Sequence, residues 1–232
     1  MDTSIVIPAY NEEKNLPKLL SDLFSLKKSL GNFEIVVVDD SSSDKTGLIA
    51  DSYAKRYKNI KVIHRKRGIN GMGAALKDGT KIAKGRYVVW VMGDSSDSLK
   101  SIPLFTEKLR KGYDMVFGSR YTKGGSSGDL EASKAVLSSG YTFIASLLFG
   151  FKVHDITNAF RAFKKEVFSS IKLESNDFGI SPEFAIKAHL KSYKLGEVPA
   201  AYQKRKAGKT NFRMLKMGIS YIKLFKYRFV KF

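Results

Sequence analysis

The chain has 232 residues but no cysteine and only three histidines. Without cysteine it forms no disulfide bond, carries out no thiolate chemistry and has no cysteine zinc site. The histidines, His64, His154 and His189, are too widely separated to form a metal-ligand motif. These absences suit a reducing, cytosolic compartment.

The chain also lacks a long hydrophobic run. Its longest uncharged stretch, residues 135–151, has 17 residues and contains several serine, threonine and glycine residues. A transmembrane helix needs about 20 predominantly apolar residues, so we expect this stretch to be buried in the protein or to lie on a bilayer surface. No secretory signal peptide is predicted, because the first apolar run, Ser4–Pro8, has neither a basic region before it nor a cleavage site after it.

Acidic residues are scarce: there are 22 of them against 41 Lys and Arg, which gives a net charge of +19. Such a charge implies an anionic partner, namely a nucleic acid, an anionic lipid surface or a phosphorylated substrate. No helix-turn-helix, RNA-recognition motif or zinc finger is recognisable, so a nucleic-acid partner is not expected. The excess is concentrated near the C-terminus, where residues 191–232 hold twelve basic residues and one acidic residue, Glu197.

What the chain does contain is two acidic turns, each at the end of a β-branched apolar run. Ile35–Val38 leads into Asp39 and Asp40, and Tyr87–Met92 leads into a turn that contains Asp94 and Asp97. Such runs are typical of buried parallel strands, and ligands of open α/β sheets bind beyond the carboxyl ends of the strands. The two turns are therefore predicted to line one crevice, where carboxylates suit a ribose, a base edge or a hydrated Mg²⁺ or Mn²⁺.

Strand-like and helix-like segments alternate along the first half of the chain, which predicts βαβ units and a doubly wound α/β sheet. The proline-containing run Gly196–Tyr202 is predicted to be an edge strand. The predicted strands are Ser4–Pro8, Glu34–Asp39, Ile60–His64, Tyr87–Met92 and Asp114–Gly118, and the predicted helices are Glu13–Leu30, Lys45–Tyr57, Met72–Lys84, Ile102–Lys111 and Ser181–Lys191.

The last segment predicts an amphipathic basic helix. Apolar residues recur at helical spacing among Lys and Arg, a pattern that fits a helix in a membrane interface and equally a helix docked on the domain. The sequence therefore predicts that the chain is divided into a catalytic domain, residues 1–210, and a C-terminal amphipathic helix, residues 211–232. The apolar positions are Leu215, Ile219, Ile222, Phe225 and Phe229.

Five motifs in register resemble family 2 glycosyltransferases, and within that family the dolichol-phosphate mannose synthase branch and its polyprenyl-phosphate relatives. The resemblance runs from about Ile5 to Lys216. The motifs are Ile5-Val-Ile-Pro-Ala-Tyr-Asn-Glu12, Val36-Val-Val-Asp-Asp-Ser-Ser-Ser-Asp-Lys-Thr46, Gly71-Met-Gly-Ala-Ala75 with Gly79 and Ala83-Lys-Gly85, Phe117-Gly-Ser-Arg-Tyr121 and Asp155-Ile-Thr-Asn-Ala-Phe-Arg-Ala162.

The resemblance implies a GT-A (Rossmann-like) fold with a mostly parallel central sheet flanked by helices. It also implies an inverting enzyme that moves a hexose from a nucleotide-sugar, of the GDP-mannose or UDP-glucose type, to a dolichyl or polyprenyl phosphate. Asp94 and Arg120 are then the catalytic residues. The nucleotide-sugar would be bound by Pro8, Tyr10, Glu12, Asp40, Gly71, Ala74, Asp94, Arg205 and Lys209.

Met92-Gly-Asp94 stands where the family has its Asp-X-Asp metal motif, so the first acid is missing. The resemblance implies Mg²⁺ or Mn²⁺ held by Asp94, Ser96 and Asp97, and Mg²⁺ often takes only one or two protein carboxylates. The alternative is that Asp94 and Asp97 merely cap the helix that begins near Leu99.

Lys134 and Ser138 match positions that are used for the acceptor phosphate in the resembling enzymes, with Lys134 in place of a more usual arginine. The resemblance implies that Arg120 lies near the diphosphate or the acceptor phosphate, and we assign it to the acceptor phosphate with Lys134 and Ser138. Lys134 and Ser138 are one helical turn apart. A phosphate monoester has a second pKa of about 6, so it is already a nucleophile near neutral pH without a general base.

Two alternatives remain open at this point. One is a degenerate nucleotide-sugar binder, favoured by Met92. The other is a family 2 enzyme with a saccharide acceptor, for which Asp155 or Glu183 would be the base. The expected location is the cytoplasmic face of a membrane, with peripheral attachment to an anionic surface.

Overall fold

The computed structural model describes residues 1–205, 207 and 214–230, and for residues 214–216 it describes the backbone alone. Within these ranges seven strands form one sheet, in the order β3-β2-β1-β4-β6-β5-β7. The strands are β1 (Thr3–Ala9), β2 (Phe33–Asp39), β3 (Ile60–His64), β4 (Tyr87–Trp90), β5 (Met115–Ser119), β6 (Arg161–Lys164) and β7 (Leu195–Pro199).

Helices cover both faces of this sheet, as the doubly wound prediction requires. The described helices are α1 (Leu16–Ser25), α2 (Lys27–Leu30), α3 (Thr46–Arg56), α4 (Met72–Ile82), α5 (Ile102–Arg110), α6 (Ala132–Phe149), α7 (Lys165–Ser169), α8 (Ile180–Leu190) and α9 (Met214–Lys223). A 3₁₀ turn, Leu224–Phe229, follows α9.

Side chains of the parallel strands alternate between two cores, because successive residues of a strand point to opposite faces. Ile5 and Ile7 of β1 pack with Leu20 of α1 and Phe105 of α5 on one face. Val6 between them packs on the other face with α4, α6, α8 and the C-terminal segment, which we define as residues 214–230. The sheet is thus buried on both sides, which explains why its strands are nearly continuous apolar runs.

Strand β6 was not among the predicted strands. It lies between β4 and β5 and runs antiparallel to both, so the sheet is mixed rather than wholly parallel. Its first residue, Arg161, is fully buried, and a charged residue at that point interrupts the apolar pattern that identifies a buried strand. The prediction of an edge strand is confirmed, since β7 ends the sheet.

The predicted helix Glu13–Leu30 is wrong in two respects. The helix begins at Leu16, with Pro17 in its first turn, and it is interrupted at Leu26, whose ψ of 1° is not helical. The four residues of α2 then lead to Gly31 at φ 66°. Proline is well accommodated in the first turn of a helix, where its missing N–H has no intrahelical partner.

Gly79 brings α4 close to the sheet. A Cβ atom at this position would lie 2.5 Å from Val6 Cγ1 and 2.8 Å from Val38 Cγ2. We expect Gly79→Ala to lower the free energy of unfolding by about 1–3 kcal/mol, because the overpacking outweighs the helix propensity of alanine. Urea denaturation measures the change.

Gly140→Ala in α6 is the matched control, since a Cβ atom there meets nothing within 4 Å. Its stability should be unchanged or higher by up to about 1 kcal/mol. Equal stability of the two variants would contradict the close helix–sheet contact at Gly79.

Candidate active site

A crevice of about 770 Å³ opens at the carboxyl ends of β1, β2 and β4. The polypeptide crosses to β2 on one side of β1 and to β4 on the other, and such a switch point is where open α/β sheets bind ligands. The predicted residues among its lining are Pro8, Tyr10, Glu12, Asp40, Gly71, Asp94 and Arg205.

Asp40 is held in place by three donors. Its Oδ2 accepts a hydrogen bond of 2.7 Å from the Gly71 N–H, and its Oδ1 accepts from Asn70 Nδ2 at 2.8 Å and from Arg65 Nη1. An ionised carboxylate has about four acceptor sites. One more donor, such as a ribose hydroxyl or a base N–H, can therefore be bound without displacing a protein group.

Asp39, next to it, has a structural role. Its Oδ1 accepts from the Ser42 N–H at 3.1 Å, and its Oδ2 lies 3.1 Å from His64 Nδ1. Hydrogen bonds to Asp39 and Asp51 raise the pKa of His64. The two neighbouring aspartates thus differ in function: one shapes the turn, and the other faces the crevice.

Glu12 and Arg205 form the opposite wall. Arg205 Nη2 donates to Glu12 Oε1 at 2.7 Å, and Asn15 Nδ2 donates to Glu12 Oε2 at 2.6 Å. Burial raises the pKa of Glu12, while Asn15 and Arg205 act in the opposite sense. The ion pair joins the turn after β1 to a residue near the end of the catalytic region, and it leaves a cation at the rim of the crevice.

The N-terminal turn of α4 is pressed against residues 173–178, which we call the support loop. A Cβ atom on Gly71, which has φ 135°, would lie 2.4 Å from Asn176 O, and one on Gly73 would lie 2.7 Å from Asp177 O. The Ala74 N–H donates to Asn176 O at 3.1 Å. Ala74 is consequently buried under the loop, and Met72 and Ala75 line the crevice instead.

The turn after β4 contains the predicted metal ligands. Asp94 lines the crevice, and its Oδ1 accepts from the N–H of Ser96, a buried residue. Asp97 Oδ2 accepts from the Met92 N–H at 2.8 Å, and burial raises the pKa of Asp97 to about 7. Asp97 is therefore less suited than Asp94 to remain a charged ligand.

The donor set fits a divalent ion only in part. Among the described residues no group of three or more His, Cys, Asp or Glu is arranged to hold a metal, and Met92 supplies no oxygen where an acid would. One carboxylate, that of Asp94, faces the crevice in this turn. This is compatible with an ion that takes its remaining ligands from phosphate oxygens and water.

The predicted acceptor residues form a second group outside the described lining of the crevice. Arg120 Nε and Nη2 donate to Asp155 Oδ2 and Oδ1 at 2.7 and 2.9 Å, and Asp155 is fully buried. Burial disfavours the charge of Arg120, but Asp155 outweighs this effect and raises the arginine pKa. Arg120 thus retains its charge, although three of its N–H donors are already used, since Nη2 also donates to Thr157 Oγ1 at 3.2 Å.

Tyr121 connects Arg120 with α6. The guanidinium carbon of Arg120 lies 5.2 Å from the centre of the Tyr121 ring, and the Tyr121 hydroxyl contacts Ser138 Oγ. One turn earlier on α6, Lys134 Nζ pairs with the exposed Glu131 at 2.9 Å. The structure therefore links Arg120 to Ser138 through Tyr121, and Lys134 lies one turn from Ser138 on α6 with an exposed ion-pair partner.

Neither candidate base for a saccharide acceptor is available. Asp155 is engaged by Arg120, and Glu183 is fully buried, with Lys187 Nζ 2.6 Å from its Oε1. Both carboxyl groups are buried and engaged by basic side chains.

Some lining residues were not predicted. Asp177 and Phe178 belong to the support loop, and Met217 belongs to α9. Nothing in their local sequence marks them, since only the packing of α8 and α9 brings them to the crevice. Lys209, which was predicted to bind the nucleotide-sugar, lies outside the described residues.

A family model described as glycosyl transferase family 2 matches residues 4–172. The chain belongs to this family.

Its sequence is 33% identical over 92% of its length to a dolichol-phosphate mannosyltransferase of Pyrococcus furiosus. It is 31% identical over 90% of its length to a dolichyl-phosphate hexose transferase of Haloferax volcanii, and 30% identical over 89% to a polyprenol monophosphomannose synthase of Mycolicibacterium smegmatis. It spans 60%, 86% and 79% of these relatives, respectively.

Solved structures confirm the GT-A fold expected for this glycosyltransferase. Glucosyl-3-phosphoglycerate synthase from Mycobacterium tuberculosis, in complex with Mn²⁺, UDP-glucose and phosphoglyceric acid, matches with a TM-score of 0.70 at 17% identity, over 98% of this chain and 79% of that one. S. aureus TarS with UDP-GlcNAc matches with a TM-score of 0.64 at 20% identity, over 98% and 66%.

Proposed function

We propose that this family 2 glycosyltransferase moves a hexose from a nucleotide-sugar, of the GDP-mannose or UDP-glucose type, to a dolichyl or polyprenyl phosphate with inversion. The names of the three relatives support this acceptor, and the UDP-sugar complexes of the structural neighbours support this donor class. The crevice is the proposed donor site, bounded by Tyr10, Glu12, Asp40, Asp94 and Arg205.

The observation that carries the proposal is the chemistry of the acceptor group. Arg120, Lys134 and Ser138 supply cations and a hydroxyl, whereas the nearby carboxylate of Asp155 is consumed in an ion pair. A saccharide hydroxyl requires a base, but a phosphate dianion does not. These cations, together with the ion pairs that engage both candidate bases, Asp155 and Glu183, favour a phosphate acceptor.

The proposed reaction is a direct displacement. An oxygen of the acceptor phosphate forms a bond to the anomeric carbon as the bond from that carbon to the nucleoside diphosphate breaks. Arg205 and Lys209 are the proposed cations on the leaving diphosphate, and Arg120 and Lys134 those that align the acceptor, so catalysis rests on orientation and charge stabilisation. A divalent ion at Asp94 would neutralise the departing diphosphate.

Met92 favours a second candidate, a nucleotide-sugar binder without transfer activity. It replaces the first acid of the metal motif with a side chain that supplies no oxygen ligand. The same donor site serves both functions, and only transfer of the sugar distinguishes them.

Peripheral attachment to an anionic membrane, on its cytoplasmic face, completes the proposal. Within the described residues α6 is the one helix long and apolar enough to cross a membrane by length and composition, yet only 22% of it is buried. Its exposed apolar face includes Val136, Phe143 and Leu147, at 72%, 64% and 71% exposure. Since α6 spans 18 residues, lying on the surface suits it better than crossing.

The C-terminal segment packs against α6 and has two faces. Met217, Tyr221, Leu224 and Tyr227 are buried in the protein, whereas Ile219, Ile222 and Phe229 are exposed beside Lys223 and Arg228. Phe225, which was expected on the apolar membrane face, instead stacks on Tyr141 at 5.2 Å. The sequence left two alternatives for this segment, docking on the domain and binding to a membrane surface. We propose that both apply, with one face of the segment docked on the domain and the other face available to lipid.

For the donor site, we expect Mg²⁺ or Mn²⁺ to strengthen binding of UDP or GDP, and Asp94→Asn to remove most of that increase. Loss of the crevice carboxylate should weaken metal-dependent binding by about 10- to 100-fold, as changes around metal sites do. Titration calorimetry with and without metal measures it. Asp97→Asn, which retains an acceptor for the Met92 amide, should keep the metal effect. Nucleotide binding that is indifferent both to metal and to Asp94→Asn would favour the binder without transfer.

For the acceptor, we expect the chain to label dolichyl or polyprenyl phosphate from a radioactive nucleotide-sugar, and Lys134→Ala to lower this transfer. Loss of one charged hydrogen bond of about 1.5–3 kcal/mol corresponds to roughly 10- to 150-fold. Lys134→Arg should restore activity. Lys134 is a sharper test than Arg120, because truncating Arg120 leaves Asp155 as an unpaired buried charge at a cost of about 3–5 kcal/mol.

Lys28→Ala is the control and should transfer at the wild-type rate. Lys28 is exposed on α2, which precedes β2 and therefore lies near the amino ends of the strands, away from the crevice. Transfer to a free saccharide alone would contradict the phosphate acceptor. Binding of nucleotide with no transfer to any acceptor would support the binder.

For the membrane, we expect Leu147→Glu combined with Ile222→Glu to reduce sedimentation with anionic liposomes by at least tenfold, since each apolar side chain contributes about 1.5–3 kcal/mol when buried. Added salt should weaken binding of the wild type, because nearby basic residues contribute about 1 kcal/mol each. Leu48→Glu on α3 is the control, as Leu48 is 72% exposed on another helix. Equal effects of Leu48→Glu would exclude a defined membrane face.

A further inference from the structure

The C-terminal segment contacts the support loop through the Tyr227 side chain. The Tyr227 hydroxyl donates to Glu174 Oε2 at 3.0 Å and lies 3.5 Å from Glu183 Oε1. The Lys187 ammonium lies 4.5 Å from the centre of the Tyr227 ring and 2.6 Å from Glu183 Oε1. A tyrosine from the end of the chain thus closes a buried cluster of charges on α8.

That charge cluster fixes the backbone of the support loop. Glu183 accepts hydrogen bonds from the N–H groups of Glu174 and Ser175, at 2.8 and 2.7 Å, and Lys187 donates to Lys172 O at 2.7 Å. Burial raises the pKa of Tyr227, so its hydroxyl remains a donor across the working pH range. Residues 172–175, at the start of the loop, are therefore tied to α8, and the Tyr227 side chain packs over these hydrogen bonds.

The loop in turn positions the donor crevice. Asn176 accepts from the Ala74 N–H through its backbone and from Lys77 Nζ through its side chain, at 3.1 and 2.7 Å. Its carbonyl occupies the space where a Cβ atom of Gly71 would be. Gly71 holds Asp40 by the hydrogen bond described above. A continuous set of contacts therefore runs from Tyr227 to the aspartate that faces the ligand.

We infer that Tyr227 is a positioning residue for the nucleotide site: it fastens the support loop against the first turn of α4 and makes the C-terminal segment part of the donor-binding structure. The inference rests on the proposed donor crevice. Met217 of the same segment lines that crevice directly. The segment therefore contributes one residue to the crevice lining and, through Tyr227, holds the support loop that packs against α4. The face of the segment that is proposed to contact lipid and the site that binds donor are then parts of one element.

Tyr227→Phe tests this role because it removes the hydroxyl and keeps the ring over Lys187. The dissociation constant for UDP or GDP with Mg²⁺, and the KM for the nucleotide-sugar, should rise by roughly three- to tenfold, while the KM for the lipid phosphate stays unchanged. Hydrogen exchange of the Glu174 and Ser175 amides should become faster without any ligand present.

Tyr141→Phe is the matched control. Its hydroxyl also fastens the C-terminal segment, by donating to Tyr221 O at 3.1 Å, but it does not contact the support loop. Faster loop exchange and weaker nucleotide binding in Tyr227→Phe alone would support the inference. The same behaviour in both variants, or unchanged exchange and affinity in Tyr227→Phe, would overturn it.

Glu174→Ala provides a second variant should Tyr227→Phe fold poorly, because the Glu174 side chain is 52% exposed. It removes the acceptor of the 3.0 Å bond and should reproduce the weaker nucleotide binding. Unchanged affinity in Glu174→Ala would also count against the inference. Failure of the wild type to bind any nucleoside diphosphate would instead contradict the proposed function, whereas the exchange measurement tests the loop independently.

Discussion

The parallel pairing of β1 with both β2 and β4 is the constraint on which the site depends. Ala9 lies opposite Asp39 at the ends of β1 and β2, and Val6 lies opposite Trp90 where β4 ends. Because parallel strands end at the same edge of a sheet, this register brings the turns that carry Glu12, Asp40 and Asp94 to one crevice. Gly93 allows the turn after β4 to pass close to the end of β1, since a Cβ atom there would lie 2.7 Å from Pro8 O.

The site is built from charges that the fold has already oriented. Asp40 is held by Arg65, Asn70 and the Gly71 amide, and Glu12 is held by Asn15 and Arg205. Groups fixed in this way need little reorganisation when charge develops on a bound ligand. The carboxylates of Glu12, Asp40 and Asp94 line the crevice together with Arg205, whereas the cations Arg120 and Lys134 lie in the second group of residues. This arrangement fits the proposed division into a donor site and an acceptor site.

Two buried charged residues, Arg161 and Asp155, support this arrangement from within the core. Arg161 is fully buried between the rings of Trp90 and Phe117 and donates to the carbonyl oxygens of Ile156 and Ser181. Burial lowers its pKa to about 9. Asp155, which binds Arg120, raises that pKa, so one buried carboxylate serves both the core arginine and the arginine of the acceptor group.

The amino-acid sequence by itself determined the parallel strands, most of the helices and the family, because these depend on local periodicity and on motifs within a few residues. The family resemblance placed Asp40, and not Asp39, among the expected nucleotide-sugar residues, and Asp40 is the one of the two that lines the crevice. Tertiary structure alone decided that β6 enters the sheet antiparallel, that Ala74 is covered and that Arg120 pairs with Asp155. It also decided that Met217 lines the crevice and that Tyr227 contacts Glu174 of the support loop. Each of these depends on contacts between residues far apart in the chain. A buried charge such as Arg161 is also contrary to the preference of charged side chains for solvent, so no local sequence pattern predicts it.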